Sequence, residues 1–222
     1  WAPQTILWLD YDERLVEYML NDITLFFTKA NPGSVIIVSV NADDAYLRGR
    51  KPAEVKEILS KELNDLRSKL GRKRIPRSLK WQDLENWGTA RVFRDVIHNH
   101  MIEILSQRNG VLSPEDRIQY TQLFNFHYPD GAKMLTVGGI LHKRPSSDIL
   151  ENVFSDLHFI RHNSEVYQIR EPKLTYRELR YLDSQLPTEE MDQIAARGIP
   201  LDHLIQYADV YRYFPAYADT DR

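Results

Sequence analysis

Thr5-Ile6-Leu7-Trp8-Leu9-Asp10-Tyr11-Asp12 is an almost unbroken apolar run that ends in two carboxylates flanking a tyrosine. Hydrophobicity that runs on without alternating predicts a strand buried on both faces, as in the middle of a parallel α/β sheet. In such sheets ligands bind in the crevice outside the carboxyl ends of the strands. Asp10, Tyr11 and Asp12 are therefore the candidate catalytic residues. An aspartate just after a strand also serves as the N-cap of a following helix, which is the non-catalytic reading of either carboxylate.

Downstream, residues 13–30 place Leu15, Met19, Ile23 and Phe26 on one face, the stripe of an amphipathic helix, and Asn31-Pro32-Gly33 stops it. A second β-branched run, Ser34 to Asn41, follows without alternation. Strand, helix and strand make a βαβ unit, so Asn41 and Asp43 arrive at the same sheet edge as Asp10 and Asp12. They are the candidate substrate-binding residues, with Asp44 beside them.

A helical insertion is expected over about residues 45–112. Pro52 to Leu70 keeps helical spacing through Val55, Leu59, Leu63, Leu66 and Leu70, and Gly71 supplies the stop. Residues 67–80 then hold Arg67, Lys69, Arg72, Lys73, Arg74, Arg77 and Lys80. This stretch reads either as a basic patch able to engage phosphate or as a solvated loop between helices. Trp81 to Asn109 reads as mostly helical; His98 and His100 lie two apart, on different helix faces, and cannot jointly ligate a metal.

Ile118, Tyr120, Phe124, Phe126 and Tyr128 bring strand-like alternation, and Pro129-Asp130-Gly131-Ala132 is turn chemistry. Lys133 to Lys143 returns as the second arm of an antiparallel hairpin, in which Gly138-Gly139 signals a bulge or a close backbone approach. Arg144-Pro145-Ser146-Ser147 marks a boundary between an α/β domain, 1–145, and a mostly helical region, 146–222. In that region Thr175-Tyr176-Arg177-Glu178 is a capping box, and Tyr211 to Tyr217 is an aromatic tail read as packing.

The 222 residues carry a net charge of -3, 42% hydrophobic and 27% charged residues, an ordinary globular balance with no general pull toward nucleic acid or membrane. The absence of cysteine rules out disulfides, thiolate catalysis and cysteine-bound zinc. Without a long apolar span or a secretory segment the cytoplasm is the expected location. The chain starts at Trp1, which suggests a piece of something longer.

Taken together, the elements predict an α/β fold: a partial Rossmann-like sheet of two parallel strands plus an antiparallel hairpin, with the helical insertion and a C-terminal helical region. This order resembles the second half of a class I S-adenosylmethionine-dependent methyltransferase, with Asp10-Tyr11-Asp12 in the place of the acidic motif that ends the family's fourth strand. Uncharacterised bacterial methyltransferase-like proteins are similar in the Leu9-Asp10-Tyr11-Asp12 strand end and the Tyr211-Arg212-Tyr213-Phe214-Pro215 tail. The resemblance covers residues 5–143 and implies S-adenosylmethionine as cofactor in the full-length protein. No Gly-x-Gly occurs in the chain, so the family's glycine-rich cofactor loop has no counterpart and the chain alone is expected to be inactive. A sheet cut at this point would expose Ile6, Trp8 and a strand edge, so strand 5–10 is expected to be covered by a second copy, by a separate N-terminal piece or by the C-terminal helices.

Two other readings compete. Ile6 to Asp12 also resembles the first motif of haloacid dehalogenase-type phosphatases, which would make Asp10 a nucleophile and Asp12 a general acid-base beside Mg²⁺. Glu13-Arg14 departs from that motif. A non-catalytic scaffold, using the basic segment and the aromatic tail as contact surfaces, is the third.

Overall fold

The opening run forms β1, Ile6–Arg14, in a computed structural model that describes residues 3–143, 154, 157–170, 172–188 and 190–213. The predicted boundary at 144–147 and the Phe214 to Tyr217 part of the tail lie outside these residues. The chain divides into two compact units, residues 1–169 and 170–222.

In the first unit β1 is followed by α1 (Glu17–Lys29), β2 (Val35–Asn41), α2 (Pro52–Leu70), α3 (Gly88–Asn109), β3 (Ile118–Asp130), β4 (Ala132–Lys143) and β5 (Tyr167–Gln168). The strands form one open sheet in the order β1-β2-β4-β3-β5. β1 and β2 are parallel, β4 is antiparallel to both β2 and β3, and β5 runs parallel to β3. The fold is the mixed α/β sheet that the element order predicts, with the insertion between β2 and β3. The two-residue β5 carries no periodic signal and is not foreseen in the sequence.

α2 has the boundaries its spacing predicts, with Pro52 in its first turn and Gly71 beyond its end at a φ of 87°. Leu59, Leu63, Leu66 and Leu70 are buried, and they join Phe26, Phe27, Phe93, Ile36, Val38 and Val137 in one core. α3 is stitched to α1 by His100, whose Nε2 lies 2.9 Å from Thr24 Oγ1 and 3.0 Å from the Leu20 carbonyl. His98 and His100 are thus helix residues, as expected, and burial pushes the pKa of each down.

β1 departs from its reading in two ways. It is not buried on both faces: exposure alternates, Leu7 and Leu9 pack on the core while Ile6 and Trp8 remain 77% and 60% exposed. β1 is the outermost strand of the sheet, and the core covers only one of its faces. It also runs past Asp12 to Arg14, which delays α1 to Glu17. The residue capping α1 is Val16, without a side-chain bond, so neither Asp10 nor Asp12 is a cap.

On the other face a chain of hydrogen bonds crosses four strands. Trp8 Nε1 donates to Ser39 Oγ at 3.0 Å, Ser39 lies 2.8 Å from Thr136 Oγ1, and Thr136 lies 3.1 Å from Tyr128 OH. Gly138 and Gly139 sit opposite a register shift in β3 between Gln122 and Phe124, so the bulge falls on the partner strand and the glycines provide the close approach.

The second unit contains α4 (Tyr176–Gln185), α5 (Met191–Ala195) and α6 (Leu201–Val210), packed around Leu182, Ile194, Ile199, Leu204 and Tyr207. The capping box forms as read: Glu178 donates its backbone N–H to Thr175 Oγ1, and its carboxylate accepts the Thr175 N–H at 2.6 Å. Thr175→Ala is expected to weaken α4 by about 1 kcal/mol, seen as faster amide exchange along that helix. Among the described residues no helix is long and apolar enough to cross a membrane.

Candidate functional site

Because β1 and β2 are parallel, their carboxyl ends share an edge, and Met134 opposite Asn41 brings the β3–β4 turn to it as well. Asp10 stands opposite Ser39 and Arg14 opposite Asn41, so β1 carries two residues more than β2 over this interval. The surplus arches Tyr11-Asp12-Glu13 out of the ladder, as a bulge re-aims side chains at a sheet rim.

Of the three predicted catalytic residues, Asp10 lies on the open face with Trp8, and Asp12 lies exposed on the arch. Among the described residues neither carboxylate has a hydrogen-bond or ion-pair partner. Tyr11 points the other way, packing against the core, with its hydroxyl donating to Asp22 Oδ2 on α1 at 2.7 Å. Partial burial, then the Asp22 carboxylate, pushes its pKa well up. The structure therefore separates Tyr11 from Asp10 across the strand.

Asn41 and Asp43 come together, but in each other's service. Asn41 Oδ1 accepts the Asp43 N–H at 2.8 Å, and Asp43 accepts the N–H groups of Ala45 and Lys133 at 3.1 and 3.2 Å. These bonds shape the loop after β2, as short polar side chains do in turns.

Around this loop stand residues that the sequence did not single out. Arg14 donates to the Asp43 carbonyl at 2.7 Å, pairs with Glu62 of α2 and lies over the Phe93 ring at 5.6 Å. The Tyr46 hydroxyl also donates to Glu62, and burial followed by that bond raises its pKa. Arg14, Tyr46, Glu62, Ile58 and Leu66 line a concavity of about 420 Å³ at the end of β1. Lys133 pairs with Asp44 at 2.6 Å and lies 5.4 Å over the Trp87 ring, which stacks on His127 at 4.6 Å. His127 is 3% exposed, its Nε2 has no partner, and burial, then nearby Arg91, pushes its pKa down to about 4. No local spacing announces these residues, because β1, α2, α3, β3, β4 and the loop after β2 all contribute to them.

Chemically, this edge offers two solvated carboxylates able to take up a proton or accept N–H and O–H donors, next to a rigid, internally paired loop. The loops after β1 and β2, residues 15–16 and 42–44, contain no glycine and offer no bare backbone cradle. Among the described residues no group of three or more acidic or histidine side chains could hold a metal ion. Compared with known proteins, residues 1–222 match the model of a family described as "Putative O-methyltransferase". The match runs through the whole chain and lends no support to reading it as half of a domain. No curated protein and no solved structure matches the chain.

Proposed function

The chain belongs to this O-methyltransferase family, and from that premise we propose that the carboxyl edge of β1 is the acceptor side of a methyl-transfer site. The observation that carries the reading is the pair of unpartnered carboxylates, Asp10 and Asp12, at that edge. S-adenosylmethionine would supply the methyl group. An acceptor hydroxyl would give up its proton on methylation, and Asp10, solvated and unpaired, would take it. Asp12 orients the acceptor from the arch. Asn41 and Asp43 hold the loop that borders the site, and Tyr11 braces β1 against α1.

The residues present fit the acceptor side and not the cofactor's cradle. We therefore propose that a glycine-rich segment outside these 222 residues completes the pocket by pairing with the free edge of β1, which would also cover Ile6 and Trp8. Under this reading the chain alone does not turn over. The phosphatase reading needs further acidic ligands beside Asp10 and Asp12, and the edge position of β1 does not gather them; the scaffold reading has no observation of its own.

Isothermal titration of S-adenosylmethionine and S-adenosylhomocysteine into the 222-residue chain and into the longest gene product tests this. Binding to the longer protein alone is the expected result; binding to the 222 residues would overturn the completed-pocket proposal while leaving the acceptor side intact. In a competent enzyme Asp10→Asn is expected to lower kcat by about 100-fold or more, the usual contribution of a positioned base. An unchanged kcat would remove Asp10 from that role.

A further inference from the structure

The basic segment 67–80, which the methyl-transfer reading leaves unused, holds seven lysines and arginines and no acid. In the structure it divides into two kinds of cation. Arg74 is a clip, paired with Glu17 at 3.3 Å and donating to the Leu70 carbonyl at 3.0 Å. Arg67 is half clip: its Nη2 donates to the Leu79 carbonyl at 2.9 Å, with the Pro76 and Arg77 carbonyls at 3.3 and 3.4 Å. Its Nε is buried and has no acceptor. Arg72 and Arg77 are exposed and have no partner among the described residues.

Arg67, Arg72 and Arg77 face one concavity of about 570 Å³, with Asn64, Ser68 and Ile75 as the rest of its wall. No carboxylate lines it. Three guanidiniums around one hollow repel one another, and the loop that wraps Arg67 fixes the arrangement. A multivalent anion would relieve that repulsion, and guanidinium geometry suits the paired oxygens of a phosphate.

The hollow does not end there. A second concavity, about 380 Å³, shares Asn64 and Arg67 and continues along Leu63 to Lys80, Trp81 and Gln82. Again no acid lines it. This adds an apolar and aromatic wall next to the cationic one, room for the body of a ligand whose charged end is held by the arginines.

We infer that the groove between α2 and the 71–82 segment is a binding site for a phosphorylated small molecule. Its phosphate groups sit on Arg67, Arg72 and Arg77, and its body runs toward Trp81. This site is separate from the methyl-transfer edge and does not depend on that assignment.

Calorimetric titration of the 222-residue chain with pyrophosphate, ADP, adenosine and a short oligothymidylate tests it. Pyrophosphate and ADP are expected to bind and adenosine not to, with affinity falling as salt is raised. The double variant Arg72→Ala/Arg77→Ala, altered only at exposed positions, is expected to bind at least about tenfold more weakly while its unfolding temperature stays unchanged. Absence of pyrophosphate and ADP binding at millimolar concentration, or equal binding by the variant, overturns the site. Binding of the oligonucleotide without either small anion overturns the small-molecule assignment in favour of a nucleic-acid surface.

Discussion

Replacing Gly139 by alanine is expected to destabilise the first unit by about 3 kcal/mol or more, the upper range for forcing volume into a packed interior. A Cβ there would lie 2.1 Å from the Thr121 carbonyl oxygen and 2.8 Å from the Gln122 Cα. Gly138 is caught on the other side, where a Cβ would meet the Ile36 carbonyl oxygen at 2.3 Å and the Ile37 Cα at 2.9 Å. In both cases the obstruction is backbone, which cannot rotate away as a side-chain tip can. β4 is also the strand that joins β2 to β3, so any shift is passed to both neighbours. For a chain of this size the loss corresponds to a fall of about 10 °C in Tm. Gly110→Ala serves as the control, since its Cβ would come no closer than 3.2 Å to the Gln107 carbonyl oxygen and 3.7 Å to that of Ser106, at the end of a helix. It is expected to cost less than about 1 kcal/mol. Equal effects at the two sites would mean that β4 does not hold its neighbours as closely as described.

The second large effect is a loss of stability in mild acid. His127 is neutral in the fold, with a pKa of about 4 against an ordinary 6.5, because it is buried under Trp87 and near Arg91. Its folded pKa lies below its unfolded one, so between these values the unfolded chain binds the proton and the folded chain does not. The stability it contributes is present above about pH 6.5 and is lost as the pH falls toward 4. A shift of this size corresponds to about 3 kcal/mol. His98 and His100 are displaced in the same direction by burial and add to the trend. His127→Phe keeps a ring against Trp87 and removes the titration. Urea unfolding at pH 7 and pH 4 is expected to show a smaller drop for this variant than for the parent, and identical drops would exclude His127 as the source.

How much could be read from the chain depended on how local the cause was. α2 was legible to the residue because Pro52 and a helical stripe lie within it and Gly71 directly follows it. The capping box at Thr175 was legible for the same reason, as was the chain reversal at Gly131, although the strands run closer to it than a Pro129 to Ala132 turn implies. β1 was legible as a strand, and its open edge was foreseen, but not that only one of its faces is covered. Which face a strand buries is decided by the side of the sheet its helices occupy, and Ile6 and Trp8 are as apolar as the residues that α1 covers. Asp10 and Asp12 were singled out as candidates because carboxylates after an apolar run stand out. That Tyr11 turns to Asp22 and that Arg14 reaches Glu62 could not be found, since those partners lie on α1 and α2 and no spacing links them. The basic stretch was visible as charge alone; only its folding shows that Arg67 and Arg74 are bound to their own chain while Arg72 and Arg77 are not.

The hydrogen-bond chain from Trp8 to Tyr128 is fixed at one end only. An indole N–H can only give, so Ser39 must receive from Trp8. Beyond Ser39 each hydroxyl can give or receive, and the row Ser39, Thr136 and Tyr128 can turn its hydrogens either way without moving a heavy atom. The outermost strand thus anchors one end of the row, while the end at Tyr128 can meet a donor or an acceptor settling above this face.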